Sequence, residues 1–331
     1  METYEIPIYQ HIARQALEQY ELGAVQLQVH LLTFVNNATF KVTVQHSDNT
    51  SQSFALRIHR PGEKSLEHIH AEIQWLLALQ QDTQLKTPHP IFTLAGTPVG
   101  VAKDASSPEL ISYVLFAWLD GHFTPTSAQT ATHAEQVGRF IGLLHQHSHT
   151  FSPTHHLTRR HLDSNGLFDW EALYRLKQSQ VGFTENDFAL CTVVAERTDA
   201  IFQMLGRTSD VFGLIHADLI WKNYFFHNHG VGAVDFDDCG WGYYLYDLAP
   251  TLLGYRDEPR YPTLRAGLLA GYRSVCPLPI QYERYLDTLI AARHVRSCCW
   301  LARRLTDQDI RHRAEQIIRH RIIEISHLLG M

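Results

Sequence analysis

The segment LIHADLIWKNYFFHNHGVGAVDF, residues 214–236, decides how the rest of this chain is interpreted. Its first three residues fit a short strand, and the ADLIWK that follows fits a tight loop ending at Asn223. The remainder fits a hairpin that turns at the His-Gly pair 229–230. Because a hairpin brings the start of one strand beside the end of the other, we expect Asn223 to lie near Asp235, with Asp218 on the preceding loop.

These three polar residues suit phosphoryl transfer that depends on Mg²⁺. Amide and carboxylate oxygens are hard ligands for Mg²⁺, which also bridges the phosphates of a nucleotide. A separate aspartate can orient and deprotonate the attacking hydroxyl. We therefore expect Asn223 and Asp235 to hold the metal and Asp218 to be the catalytic carboxylate. In the structural alternative, Asp218 caps a loop and Asn223 occupies a turn.

The pattern of apolar residues changes near residues 117–121. Before this point, helical periodicity predicts a short helix at 8–20 and a second helix, inserted between strands, at 65–81. Alternating and apolar runs predict strands at 24–35, 38–46, 53–60, 90–94, 98–103 and 110–122. After it, helical periodicity dominates, at 130–147, 168–179, 184–206, 259–273, 281–304 and 308–329. We expect an α+β fold with two lobes, an antiparallel N-terminal lobe over 1–116 and a mainly helical C-terminal lobe over 117–331.

Composition excludes several classes of protein. The 331 residues are 45% hydrophobic and 19% charged, with a net charge of −6, which is typical of a folded globular protein and not of a nucleic-acid-binding one. No apolar run reaches the length of a membrane span, and residues 1–15 lack the pattern of a secretory signal. The five cysteines show no paired spacing, so we expect reduced thiols and a cytoplasmic location.

Histidines are densest in residues 143–161, LLHQHSHTFSPTHHLTRRH. His145 and His149 would share one face of a helix, and with His147 they could form a metal site. No cysteine or acidic residue nearby completes a ligand set, so solvated histidines at a helix end are the favoured interpretation.

The catalytic segment resembles a known family. His216-Ala217-Asp218, with Asn223 and then Asp235, is similar to the His-x-Asp-x-x-x-x-Asn…Asp arrangement of aminoglycoside phosphotransferase-like kinases. That family includes choline kinases, type II homoserine kinases and bacterial stress-response kinases. The resemblance extends to the segments that provide the third strand, the glutamate-bearing helix, the hinge and the metal aspartate, at 54–62, 70–79, 113–121 and 231–252. It implies a protein-kinase-like fold.

The resemblance also implies roles in and around the catalytic loop. Asp218 would be the catalytic carboxylate, and Asn223 and Asp235 would bind Mg²⁺. His216 would support the loop. Asp247 would accept backbone N–H groups of the loop and cap the helix that it begins.

For the nucleotide, the resemblance implies that Arg57 contacts the α- and β-phosphates and pairs with Glu72, with Glu67 as the rival partner. Asn37 would contact phosphate. The adenine ring would meet the backbone and side chains of Leu115, Ala117, Trp118 and Leu119. Of the acids after the metal residue, Asp237 is the better candidate for the site, ahead of Asp238.

Three positions depart from the family pattern. Arg57 stands where kinases usually have lysine, and it reaches differently although it can still pair with carboxylates and phosphates. The loop FVNNATF, 34–40, has no glycine, so Asn36 or Asn37 would need to adopt a left-handed turn to cradle phosphate. Ala217 replaces a glycine that relatives often carry.

The function implied is an ATP- and Mg²⁺-dependent transfer of phosphate to the hydroxyl of a small molecule, by a monomer or homodimer with no nucleic-acid or membrane partner. The acids Asp237, Asp238, Asp257 and Glu258 would favour a cationic acceptor such as an aminoglycoside, an amino alcohol or homoserine. Alternatively they are solvated, and Arg159 or Arg160 anchors a carboxylate or phosphate. A Ser/Thr protein kinase of the stress-response type and a nucleotide-binding pseudokinase are the remaining alternatives.

Overall fold

The structure is a computed structural model, and it describes residues 2–103, 110–153 and 157–331. The contacts between Cα atoms divide the chain into two compact units. Unit 1 contains the described residues up to Gly121, those within 153–158, and 233–237. Unit 2 contains 122–152, 159–232 and 238–331.

Unit 1 is built on an antiparallel sheet. Its strands follow the order β1-β2-β3-β6-β4, and β5 pairs with the free part of β6. The elements, in chain order, are α1 (Glu2–Leu17), β1 (Gln26–Phe34), β2 (Asn37–Gln45), β3 (Ser51–His59), α2 (Leu66–Asp82), β4 (Pro90–Ile91), β5 (Gly100–Lys103) and β6 (Leu110–Ala117). The sheet and the helix between β3 and β4 confirm the expected N-terminal architecture.

Strand β2 shows why this sheet has one buried face. Ala38, Phe40, Val42 and Val44 alternate along the strand and are fully buried in an apolar cluster that includes residues of α1. Helix α1 covers Glu2–Leu17 and not the expected 8–20, and Pro7 lies inside it. A proline within the helix removes one backbone hydrogen bond, which the burial of the later turns of α1 offsets.

Unit 2 is mainly helical, as expected. Its elements are α3 (Ala131–Thr150), β7 (His161–Leu162), α4 (Trp170–Gln178), α5 (Glu185–Leu205), β8 (Phe212–Ile215), β9 (Tyr224–His227), β10 (Gly230–Ala233), β11 (Gly240–Tyr243), α6 (Tyr244–Asp247), α7 (Ala249–Tyr255), α8 (Tyr261–Arg273), α9 (Leu286–Arg303) and α10 (Gln308–Leu329). Strands β9 and β10 pair as the expected hairpin. Strands β7, β11 and β8 form a second small sheet that the sequence did not predict, because GWGY lacks the pattern of a strand.

Helices α3 and α8 approach closely through glycines. A Cβ atom on Gly138 would lie 1.9 Å from the Leu268 carbonyl oxygen, and one on Gly271 would lie 1.9 Å from the Glu135 carbonyl oxygen. Any larger residue would therefore push the two helices apart. This contact fixes the end of α3 that carries His145 against α8.

Two expectations from composition can be compared with the described chain. No helix within it has both the length and the apolar character needed to cross a membrane. The five cysteines are free thiols, and all but Cys276 are buried.

Candidate active site

The loop predicted to be catalytic lies in unit 2 and begins where β8 ends. Ala217 has a φ angle of +69°, in the left-handed region that residues with a Cβ rarely occupy. The loop keeps this conformation because the Asp247 carboxylate accepts hydrogen bonds from two of its N–H groups. Oδ2 accepts the His216 N–H at 3.0 Å, and Oδ1 accepts the Ala217 N–H at 2.6 Å. The Thr251 hydroxyl also donates to the Leu219 carbonyl, 2.7 Å away, and secures the loop to α7.

Asp247 has a second partner that the sequence did not indicate. Its Oδ2 lies 3.0 Å from His145 Nε2, and the other ring nitrogen of His145 lies 2.9 Å from the Tyr272 hydroxyl. Burial alone would raise the pKa of the Asp247 carboxyl. The hydrogen bond and charge of His145, with smaller contributions from His216 and the Ala217 N–H, lower that pKa below its usual value.

This network corrects two expectations. His145 is not a solvated residue at a helix end but a buried partner of Asp247. His147 is buried too, and Nδ1 of His149 lies 2.9 Å from the Ser209 carbonyl oxygen. Among the described residues, no group of three or more His, Cys, Asp or Glu side chains is placed to hold a metal. Asp247 does not cap a helix either, because the N-cap residue of α7 (Ala249–Tyr255) is Leu248, and no side chain caps that helix. The loop N–H groups already occupy both of its oxygens.

Asn223 is oriented by the loop itself. Its Nδ2 donates to the Asp218 carbonyl at 2.8 Å and to Asp218 Oδ2 at 3.2 Å. These two bonds use the amide nitrogen, so the amide oxygen has no hydrogen-bond partner in the part of the chain that is described. An amide oxygen presented in this way fits a hard cation such as Mg²⁺.

The strand after Asn223 is anchored inside unit 2. The Tyr224 hydroxyl donates to Gln129 Oε1 at 3.0 Å, and the Tyr255 hydroxyl donates to the same oxygen at 2.9 Å. All three residues are buried. The position of Asn223 is therefore fixed by a polar network in the core as well as by the loop.

In unit 1, a buried ion pair joins β3 to α2. Arg57 Nη2 lies 2.8 Å from Glu72 Oε2, and both residues are buried. Burial disfavours a charged Arg57, but the carboxylates of Glu72, Asp237 and Asp235 outweigh that effect and raise the guanidinium pKa above its ordinary value. Glu67 is exposed in the first turn of α2, so Glu72 is the partner that the structure selects.

Asp237 lies in unit 1 beside the phosphate-binding candidates. Its Oδ2 accepts from Asn37 Nδ2 at 3.4 Å, and Lys64 Nζ donates to its backbone carbonyl at 2.9 Å. Lys64 was missed, although its place in the RPGEK loop directly after β3 could have indicated it. Asp235 has a φ angle of +61°, and such backbone strain clusters at functional sites.

Neither Asn36 nor Asn37 adopts the left-handed turn that the loop would need to cradle phosphate. The non-glycine residues with positive φ among those described are Asn49, Gln180, Ala217 and Asp235. A short turn joins β1 to β2, and Asn37 is already the first residue of β2. Its side chain reaches Asp237 because alternate residues of a strand point to opposite faces.

The segment expected to meet adenine is only partly available. Leu115 is fully buried in the apolar cluster of the sheet and α1, so it belongs to the core and not to an open pocket. The Ala117 N–H donates to the His89 carbonyl at 2.9 Å and is not free to bind a base. Trp118 and Leu119 are half-buried, and the Leu119 N–H donates to no other described residue.

The four acids expected to attract a cationic acceptor do not act as one group. Asp237 belongs to unit 1, and Asp238 pairs with Arg296 of unit 2 at 3.3 Å. Glu258 accepts a hydrogen bond from Thr126 at 2.9 Å, and Asp257 is exposed. The four acids are therefore close in sequence but have different partners in the fold.

Arginines on α9 pair with two acids of the candidate site, and the sequence did not indicate them. Arg293 forms an ion pair with Oδ1 of Asp218, and Arg296 pairs with Asp238. Arg159 is buried and donates through Nε to the Cys239 carbonyl at 2.5 Å, so it has a structural partner. The available signal was Arg293 and Arg296, one turn apart on a helix with many apolar residues.

An antiparallel sheet with a buried Arg–Glu pair between its third strand and the next helix, and a helical unit with a His-Ala-Asp loop, define a phosphotransferase of protein-kinase-like fold. The sequence profile of the phosphotransferase enzyme family (APH) matches residues 33–287, and the chain belongs to that family. The resemblance stated from the motifs, the fold class and the assignment as a phosphotransferase are thereby confirmed.

Individual relatives agree with this assignment. A homoserine kinase of Brucella anthropi is 27% identical over 272 residues, which cover 79% of this chain and 74% of the relative. The structure of a microcompartment-associated aminopropanol kinase has a TM-score of 0.79 at 23% identity and covers 97% of both chains. The amicoumacin kinase hAmiN, solved with AMP-PNP, Ca²⁺ and Ami, has a TM-score of 0.74 at 20% identity and covers 98% of this chain and 96% of its own. The two structures show the fold.

Proposed function

We propose that this chain transfers the γ-phosphate of ATP to the hydroxyl group of a small molecule. Asp218 receives the proton of the attacking hydroxyl, and Asn223 and Asp235 hold Mg²⁺. The observation that carries the proposal is the orientation of Asn223, whose amide nitrogen binds Asp218 while its oxygen is left for a cation.

The reaction needs only one bond formed and one broken at phosphorus. The acceptor oxygen bonds to the γ-phosphorus, and the bond from that phosphorus to the oxygen shared with the β-phosphate breaks. The electron pair of the broken bond leaves with ADP, and the hydroxyl proton passes through Asp218 to solvent. Mg²⁺, when bound, supplies neutralisation of the charge on the phosphates.

Residues of unit 1 supply the nucleotide site in this proposal. Arg57 contacts the α- and β-phosphates while Glu72 fixes the orientation of its guanidinium. Asn37 and Lys64 both donate hydrogen bonds to Asp237. In this proposal they add further contacts to the phosphates. Leu119 offers its N–H to adenine beside Trp118. In this proposal residues 1–116 form the nucleotide-binding lobe, residues 117–331 form the catalytic lobe, and the reaction is cytoplasmic, where ATP is available.

The acceptor class follows from the relatives. Two of these relatives are named for homoserine and aminopropanol, which are small hydroxyl compounds that also carry an amine. We therefore propose a small amino-bearing alcohol as the acceptor of this chain.

Nucleotide binding and turnover test the proposal in sequence. Thermal unfolding of the wild type should shift upward with ATP and Mg²⁺ together, because a ligand that binds the folded state stabilises it. Asp235→Asn should weaken the Mg²⁺-dependent part of that shift, and Asp257→Asn, an exposed control, should not. In an ATP-consumption assay with a panel of small alcohols, Asp218→Ala should lower kcat by about 10²- to 10⁴-fold.

Each alternative gives a different result in these assays. A pseudokinase would bind ATP but show the same low turnover in the wild type and Asp218→Ala. A protein kinase would label a protein substrate such as casein and none of the alcohols. The absence of any shift with ATP or GTP would contradict the kinase function itself.

A further inference from the structure

Four arginines lie on or near helix α9 of unit 2. Helix α9 carries Arg293, Arg296 and Arg303 at spacings of three and seven residues, which place them on one face. Arg160 directly precedes β7, and its carbonyl accepts the Trp241 N–H of β11 at 2.9 Å. These four residues, called here the arginine cluster, all belong to unit 2.

The carboxylates around the arginine cluster do not balance its charge. Asp218 pairs with Arg293, Asp238 with Arg296 and Asp169 with Arg303. Arg160 instead donates to the Gly166 carbonyl at 3.1 Å, and it has no carboxylate partner among the described residues. Four guanidinium groups therefore face three carboxylates.

Electrostatics within the arginine cluster agree with this imbalance. Burial, followed by the positive charges of Arg296 and Arg303, lowers the pKa of Arg160, and the carboxylates of Asp238 and Asp169 only partly oppose the effect. Half-buried guanidinium groups that repel one another are stabilised by an additional anion. The cluster thus has the charge and the donors of a site for a carboxylate or a similar anion.

The position of Arg293 connects this anion site to the reaction. Its guanidinium occupies Oδ1 of Asp218, while Oδ2 accepts from Asn223 Nδ2. Both oxygens of the catalytic carboxylate are therefore engaged, although an attacking hydroxyl needs one of them. Arg293 Nε is buried and has no hydrogen-bond partner among the described residues, so the guanidinium retains a donor for another group.

We propose that the phosphate acceptor is a hydroxyl compound that also carries a carboxylate, and that Arg293 recognises this group with the help of Arg160 and Arg296. Binding of the carboxylate turns the Arg293 guanidinium away from Asp218, and Oδ1 becomes available to the acceptor hydroxyl. An amino alcohol without a carboxylate leaves Asp218 engaged and is a poor acceptor. The inference rests on the proposed function and narrows it to amino acids with a side-chain hydroxyl.

A matched pair of acceptors isolates the contribution of the carboxylate. L-Homoserine and 3-amino-1-propanol differ by that group alone, and L-threonine and 1-amino-2-propanol form a second pair. The wild type should have the higher kcat/KM for the amino acid of a pair. Arg293→Gln should lower kcat/KM for that amino acid by about 10- to 100-fold, the range for one or two hydrogen bonds between charged groups. For the carboxylate-free partner, kcat/KM should rise, because Asp218 Oδ1 is no longer occupied.

Two further variants guard against effects on folding. Arg293→Lys keeps the charge but loses the two-pronged geometry, so it should retain part of the preference for the amino acid. Arg319→Gln removes an exposed arginine of α10 and should behave as the wild type in every assay. Urea unfolding of each variant shows whether it is folded under the conditions of the activity assays.

The outcomes separate this inference from the proposed function. Phosphate transfer with the same ratio of the two acceptors in the wild type and Arg293→Gln would overturn the inference and leave the proposed function intact. If no hydroxyl compound is phosphorylated, the proposed function fails, and calorimetric binding then decides the inference without turnover. Equal affinity of the wild type for L-homoserine and 3-amino-1-propanol would overturn it, and tighter binding of L-homoserine that Arg293→Gln removes would support it.

Discussion

Replacing Asp247 by asparagine tests the network that holds the catalytic loop. The carboxylate accepts two loop N–H groups, at 3.0 and 2.6 Å, and also bonds to His145, at 3.0 Å. Asparagine has the same shape but only one oxygen, so its NH₂ group must face a loop N–H or the imidazole. At least one charge-assisted hydrogen bond is lost, at about 1.5–3 kcal/mol, and a buried N–H is left unsatisfied, at about 1–3 kcal/mol.

We therefore expect Asp247→Asn to lower the free energy of unfolding by about 3–5 kcal/mol, which lies within the sum of these two costs. Urea unfolding at neutral pH measures this, and ATP consumption should fall with it because Ala217 loses the partner that fixes its φ angle. Asp257→Asn, at an exposed carboxylate 3.8 Å from its nearest charged partner, is the control and should change stability by less than about 0.5 kcal/mol.

The pH dependence gives an independent check of the same reasoning. The folded-state pKa of Asp247 is lowered, so its stabilising contribution is complete above the ordinary value of 3.8 and is lost as the pH falls through the lower folded-state pKa. The deficit of Asp247→Asn should therefore shrink at acid pH. A deficit below about 1 kcal/mol at neutral pH, or one that does not change with pH, would refute the network as described.

Three further predictions concern single side chains. At position 217, where φ is +69°, Ala217→Gly should change stability by less than about 1 kcal/mol, while Ala217→Val should cost about 1–3 kcal/mol, both measured by urea unfolding. Glu72→Gln removes the carboxylate of a buried pair, so it should cost about 3 kcal/mol and raise KM for ATP, unlike the exposed control Glu67→Gln. Burial and, to a smaller extent, the positive charge of Arg321 lower the pKa of His294 from 6.5 to about 3. Between these two pH values the unfolded chain binds a proton at this histidine and the folded chain does not. Stability should fall as the pH drops from 6.5, and His294→Gln should flatten that slope by up to about 1.36 kcal/mol per pH unit.

Each of these has a contradicting result. Valine tolerated as well as glycine at position 217 would mean that the loop is not held in the left-handed conformation. Equal effects of Glu67→Gln and Glu72→Gln would contradict the assignment of Glu72 as the partner of Arg57. An unchanged slope in His294→Gln, with exposed His327→Gln as the control, would show that His294 is not buried in its neutral form.

Short-range parts of the site could be predicted from the sequence because local geometry fixes them. The loop from His216 to Asn223 and the hairpin after it are set by strand and turn patterns within one segment. The Arg57–Glu72 pair spans only 15 residues, across one strand and one helix whose periodicities are visible in the sequence. These features were sufficient to indicate the family and its chemistry.

Long-range partners could not be predicted, because no local pattern carries them. His145 lies 102 residues from Asp247, and its place depends on the close packing of α3 on α8 through Gly138 and Gly271. The acids after Asp235 look alike in sequence, yet the fold assigns Asp237 to unit 1 and Asp238 to unit 2.

The sequence by itself thus determined the reaction class of this protein, since a His-x-Asp-x-x-x-x-Asn loop and a following aspartate are local chemistry. Only the tertiary structure decided which groups surround the Asp218 carboxylate. Arg293 is 75 residues from Asp218 and reaches it because α9 packs against the helices that support the catalytic loop. Backbone spacing sets which residues of one segment share a face, whereas the packing of distant helices sets their charged neighbours.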